Sequence, residues 1–260
     1  MPTKSLSPQA LGVINDYAHL PFAGRDISVP YFNNQRVGVR VGLRALIGKG
    51  SAEDIVEEAK IISLRDKINL DRLTGEQLKK FLVDNNLGLD CSALAYYVLN
   101  AELLSQNKKP LKNLIKFPYA KNPIRKLLMK LRPVENVAVN TLVHENNSRV
   151  IELKDIRPGD MIVMLGAGLQ HHLNHILLIH RIDYNEQNEP TKIYYTHSFK
   201  WPSDGKYGTG IKQGTIEITA VGMNLSEQEW KESGRTGNDN ETFRHAKLSN
   251  TLCIRRLNCL

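Results

Sequence analysis

Gly88-Leu89-Asp90-Cys91-Ser92-Ala93-Leu94 is the stretch on which the reading of this chain turns. A Gly-containing turn, Asn86-Leu87-Gly88-Leu89, delivers the chain into an apolar run. There Leu94, Val98, Leu99, Leu103 and Leu104 recur at helical spacing. Asp90 is a good N-cap, which places Cys91 in the first helical turn. Unpaired backbone N–H groups and the positive end of the helix dipole favour a thiolate at that position, and the thiolate is the reactive form of cysteine. Cys91 is therefore a candidate nucleophile.

Upstream, Ser7-Pro8-Gln9 starts a short helix over roughly 9–17, and Pro21, Gly24 and Pro30 mark a loop that runs to Tyr31-Phe32-Asn33-Asn34. Residues 40–47 read as helical, and Gly48-Lys49-Gly50 interrupts them. Ser51-Ala52-Glu53-Asp54 then restarts a helix with a capping arrangement, so that Ile55, Ala59, Ile62 and Leu64 are expected to face inward. Thr74-Gly75-Glu76-Gln77 opens another helix. Downstream of the Cys91 helix the pattern changes to strands. They are expected at 137–139, 149–153, 161–165, 175–182, 191–197, 215–221 and 252–257, with a polar turn over 185–189. Helices first and antiparallel strands afterwards predict an α+β fold, with the nucleophile helix packed on an antiparallel sheet.

The 260 residues suffice for one large domain, and 41% hydrophobic with 24% charged residues is ordinary for a globular protein. The net charge of +8 is concentrated. From Lys108 to Arg132 there are nine basic residues and no acidic one, leaving 26 basic against 27 acidic elsewhere. Three cysteines are too few for a disulfide scaffold, so Cys253 and Cys259 read as free thiols of a reducing compartment. No signal-peptide-like or membrane-spanning run is seen, which gives a cytoplasmic expectation, with export by another route open.

A cysteine nucleophile needs a base and a group that orients the base. His175 and His197, on the two strands of an expected hairpin, suit these roles. At these residues the chain resembles the NlpC/P60 family of papain-like cysteine peptidases. Residues Gly88 to Leu94 are similar to that family's G-[FL]-D-C-S-G-[FL] motif. Ile156-Arg157-Pro158-Gly159-Asp160-Met161-Ile162-Val163 resembles its L-x-P-G-D-L segment. Asn174-His175-Ile176-Leu177-Leu178-Ile179 resembles its S-H-V-G-I-Y strand, and Tyr195-Thr196-His197-Ser198 the strand that carries its third catalytic residue. The motifs stand in the family's order.

The resemblance implies a Cys-His-His hydrolase of amide bonds, on peptidoglycan fragments or other small peptides. In it Cys91 attacks, His175 is the base, His197 orients it, and backbone N–H groups near Cys91 form the oxyanion hole. It also implies that Asp90, Ser92 and an upstream tyrosine, matched by Tyr31 in Pro30-Tyr31-Phe32-Asn33-Asn34, hold a substrate's free α-amine. Ala93 departs from the usual glycine, and the family's W-G-G is missing after Tyr31. On this reading the chain is a single catalytic domain, residues 1–260, carrying a helical insertion over 35–87 and a basic insertion over 105–134.

Two rival chemistries stay open: acyl transfer or lipid-amide hydrolysis on a related fold, and an inactive binding protein that keeps the fold. His171-His172-Leu173-Asn174-His175 lacks the helical H-E-x-x-H spacing of a zinc site, so no metal and no cofactor is expected. His171 and His172 read as a cleft-rim loop, and His180 as pointing away from His175. No obligate protein partner is read. The basic segment suggests an anionic surface: a membrane, a cell-wall polymer or nucleic acid, with any helix confined to the part after Pro123.

Overall fold

The computed structural model describes residues 2–22, 24–34 and 43–260, a mixture of helices and one antiparallel sheet. Helix α1 (Pro8–Ala18) begins where the Ser7 side chain accepts from the Ala10 amide. Residues 35–42 of the expected helical insertion, including part of the helix expected at 40–47, lie outside the described residues. The part that is described, Arg44–Ile47, is a 3-10 turn. It ends at Gly48, whose φ of 76° and near-collision with the Phe32 carbonyl leave no room for a side chain.

Helices α2 (Ala52–Arg65) and α3 (Gly75–Asp84) each open on a capping box, Ser51 with Asp54 and Thr74 with Gln77. Ile55, Ala59 and Ile62 are buried as expected, but Leu64 is 80% exposed. Nine residues beyond Ile55, it stands half a turn round the helix from that face. Helix α4 (Cys91–Ser105) is apolar nearly all round and sinks into the core, with Leu94, Val98, Leu99 and Leu103 all buried. Four further helices follow: α5 (Leu111–Leu114), α6 (Pro123–Leu131), α7 (Pro133–Asn136) and α8 (Val139–Leu142). The strand expected at 137–139 is not formed. Val137 and Ala138 are extended, but Val139 starts α8, and the Val137 carbonyl accepts from the Lys49 side chain instead of a ladder partner.

The strands are β1 (Thr3–Ser5), β2 (Ser148–Ile151), β3 (Met161–Ala167), β4 (Leu173–Tyr184), β5 (Pro190–Phe199), β6 (Gly210–Glu217), β7 (Glu229–Glu232), β8 (Arg235–Thr236) and β9 (Thr251–Leu257). They form one sheet in the order β2-β9-β3-β4-β5-β6-β7-β8, with β1 added to β4. The strand expected at 215–221 begins earlier, at Gly210, because Phe199 of β5 pairs with Gly210 and carries the ladder back. Past Glu217 the chain leaves the sheet, and the Gln228 side chain takes the Thr219 amide. Helix α9 (Glu241–Lys247) lies between β8 and β9.

Both faces of the central strands are buried. Met161, Val163, Ile176 and Leu178 join the helices α1 to α4 in one cluster, while Ile162, Met164, Leu177, Ile179 and Tyr195 pack with Trp230 and α9 in the other. An ion pair is sunk beneath β9 in this arrangement. Arg256 of β9 donates twice to Asp160, at 2.7 and 2.8 Å, and Asp160 also caps the Arg157 amide. Removing one partner strands a charge out of water. Arg256→Met is therefore expected to lower unfolding free energy by about 3–5 kcal/mol in urea titrations; a loss under 1 kcal/mol would refute this role.

Candidate active site

The turn before α4 is clamped from three directions. The Leu89 amide donates to the Pro30 carbonyl (2.8 Å), the Leu89 carbonyl accepts from the Phe32 amide and from the Ser198 hydroxyl (2.7 Å), and the Asp90 amide donates to the Gly48 carbonyl (3.0 Å). Gly88 is needed here, since a Cβ would sit 2.7 Å from both the Pro30 carbonyl and the Phe32 side chain. Asp90 caps α4 through the Ala93 amide (2.8 Å), so Cys91 is the first helical residue, as its sequence suggests.

β4 and β5 part company where they meet this turn. Their ladder runs from Tyr184↔Pro190 to Leu178↔Thr196. Beyond it, His175, Ile176 and Leu177 keep partners in β3, and His197, Ser198 and Phe199 keep theirs in β6. The head of α4 stands at that opening, with the Ile176 amide facing the Cys91 thiol and Ser198 bonded to Leu89. Strand alternation turns His175 and His197 toward the second cluster, with Leu177 and Tyr195. There the two rings are hydrogen-bonded, His175 Nε2 to His197 Nδ1 at 2.8 Å, and Phe199 packs against His175 at 4.5 Å.

The relay extends one residue further than the sequence showed. His197 Nε2 lies 2.8 Å from Glu232 Oε2, and Glu232 also accepts from Tyr195 (3.0 Å), Thr242 (2.7 Å) and Trp201 (3.3 Å). Burial alone would raise the Glu232 carboxyl, but His197 and the donors around it bring it down to about 2. An ionised carboxylate only accepts. His197 Nε2–H therefore donates to Glu232, and His197 Nδ1 shares a proton with His175 Nε2. Among the described residues the buried His175 Nδ1 has no hydrogen-bond partner. Burial, then His197 and His245, hold His175 well below the usual imidazole range.

The thiol differs from expectation. Burial first, then the Asp90 carboxylate, push Cys91 up to about 12, over the opposing pull of the Ile176 amide, Lys49 and the residue's own amide. The helix terminus is present, but desolvation and the charge of the capping residue outweigh it. Among the described residues no hydrogen bond joins the Cys91 thiol to either histidine. A thiol raised this far stays largely protonated at neutral pH.

Cys91 opens on a cleft of about 310 Å³ lined also by Tyr31, Asp90, Ser92, Asn140 and Phe199. Tyr31 is held there by backbone pairing with Leu89, and its ring meets Phe199 at 5.2 Å. A larger groove of about 1020 Å³ beside Tyr207 holds Lys79, whose side chain donates to the Ser28 hydroxyl at 3.1 Å. Asp90 and Ser92 share a buried partner, Lys49. The Lys49 ammonium lies 2.7 Å from Asp90 Oδ2, and donates to the Ser92 hydroxyl and the Val137 carbonyl, each at 2.7 Å. All three side chains are buried.

Lys49 and Glu232 are the two members that the sequence reading missed. Glu232 sits in a charged stretch, Glu229-Trp230-Lys231-Glu232, where the sequence reading expected no strand; its inward direction carries no signal in composition. The remaining histidines lie outside the relay. His171 bonds the Gly166 carbonyl (2.9 Å) in an exposed loop, His172 lies at the cleft rim, and His180 meets the Thr196 hydroxyl (2.9 Å). Among the described residues no cluster of three metal-ligating side chains occurs. Cys253 and Cys259 are free thiols. No protein-family model matches the chain, and a search of the curated proteins found no match.

Proposed function

We propose that the chain is a papain-like cysteine hydrolase of the NlpC/P60 type that cleaves amide bonds, in peptidoglycan peptides or other small peptides. The observation that carries this reading is the His175 ring, whose buried Nδ1 has no partner among the described residues while its Nε2 leads through His197 to Glu232, one residue from the amide that faces the Cys91 thiol. In the reaction the Cys91 proton passes to His175 Nδ1 as sulfur bonds the carbonyl carbon. The C–N bond then breaks, and the leaving amine takes that proton. Water, deprotonated by the same ring, adds to the thioester carbonyl; the C–S bond breaks, the Cys91 sulfur takes the proton back from the ring, and the acid is released as a carboxylate. The Glu232 charge stabilises the imidazolium that forms between the two steps.

Lys49 restricts the substrate. Its ammonium neutralises Asp90 and occupies Ser92, so the cleft floor offers no uncompensated carboxylate for a free α-amine. N-acetylated and free-amine forms of one peptide are expected to be cleaved with kcat/KM within about threefold of each other, since no ion pair distinguishes them.

The test is turnover of short peptides and peptidoglycan fragments with mass-spectrometric detection of an acyl group on Cys91. Paired amine and carboxylate products support the proposal, whereas acyl groups transferred to an alcohol or a second amine identify an acyltransferase. The protonated thiol without a histidine bond favours a second reading, an inactive binding protein. Tight binding of fragments with no acylation of Cys91 would establish that instead.

A further inference from the structure

Helix α6 leaves its whole apolar face uncovered. Ile124, Leu127, Leu128 and Leu131 recur at i, i+3, i+4 and i+7, and they are 68, 59, 56 and 69% exposed. Met129, on the other side of the helix, is the residue that packs toward the helix-side core, so the stripe is presented outward. At 100° per residue, Arg125 and Lys130 flank the stripe on either side. The helix is locally well specified, with the Asn122 side chain accepting from the Ile124 amide at 2.8 Å and Pro123 in its first turn. No acidic residue occurs between Lys108 and Arg132, and no described helix is long and apolar enough to cross a membrane.

We propose that α6 docks this protein on an anionic lipid surface, lying in the interface with its four apolar side chains among the acyl chains and Arg125 and Lys130 at the headgroups. The charge pattern selects this occupant. A nucleic-acid backbone would pair with the cations but leave the aliphatic stripe in water. A second copy would cover the stripe but bring Arg125, Lys126 and Lys130 of both copies together without a counter-charge. An anionic bilayer satisfies both halves of the helix at once. The chain then leads from α6 through α7 to Ala138, Val139 and Asn140, a wall of the Cys91 cleft.

The experiment is co-sedimentation of the full chain with vesicles, either pure phosphatidylcholine or with about 30% phosphatidylserine. Binding to the anionic vesicles is expected to exceed binding to neutral ones by at least about tenfold and to weaken with salt. Leu127→Ser with Leu128→Ser, and separately Arg125→Glu with Lys130→Glu, are each expected to reduce it by about tenfold or more. All four side chains are exposed, so an unchanged circular dichroism spectrum accompanies the loss. Three results would each overturn the proposal: equal binding to both vesicles, binding untouched by the leucine changes, or a stripe-dependent dimer or duplex-DNA complex that forms in place of vesicle binding.

Discussion

Cys91→Ala is expected to lower peptide turnover by about a thousandfold or more, while the folded state persists. The cap that starts α4 belongs to Asp90, and the clamp on the turn belongs to Leu89, Ser198 and Phe32, so none of it depends on sulfur. His175→Ala should fall to a similar rate, and the double variant should be no slower than either single one, because the two groups act as a unit. Multiplicative losses would mean that they act separately. The pH dependence follows from the two shifts. His175 is held well below 6.5, so its neutral, proton-accepting form persists as pH falls, and the acid limb of kcat/KM lies below pH 6.5. Cys91 is pushed up to about 12, so iodoacetamide alkylation of the resting protein should keep rising beyond pH 9. A plateau below pH 7 would reveal a preformed thiolate and contradict the general-base scheme.

Glu232→Gln is expected to damage both rate and stability. The glutamine keeps the volume but removes the charge that fixes the donor order through His197 and His175, with an expected loss of about a hundredfold or more in kcat/KM. In stability, a carboxyl lowered from 4.5 to about 2 in the folded state contributes on the order of 3 kcal/mol at neutral pH. The sign is that of a depressed acid. The contribution is complete above about pH 4.5, the unfolded value, and disappears as pH falls through about 2. Urea titrations should therefore show the wild type well above the variant at pH 7, with the gap closing by pH 2. A gap that stays constant across that range would mean that the carboxylate charge is not what stabilises the fold.

Much of the local architecture was legible before any coordinates. Ser51, Thr74 and Asp90 announced their helices because capping is a contact between residues three apart, and β3, β4, β5 and β9 were visible as strand-like stretches. Where reading failed, the deciding contact was distant in sequence. Val137 and Ala138 have strand-like residues, yet the Val137 carbonyl serves Lys49, 88 positions away. The start of β6 was set by Phe199 across the ladder rather than by apolar content.

The candidate site divides along the same line. Sequence determined that Cys91 heads a capped helix and that two histidines sit on neighbouring strands, because both are matters of short-range pattern and spacing. Only the tertiary structure decided the state of these groups. Burial and the Asp90 charge raise the thiol, Lys49 pairs with the Asp90 carboxylate, and Glu232, 35 positions from His197, holds the far nitrogen of that ring. Protonation, charge neutralisation and tautomer depend on the field and the partners around a group, and those partners are assembled by folding from segments that share no local pattern.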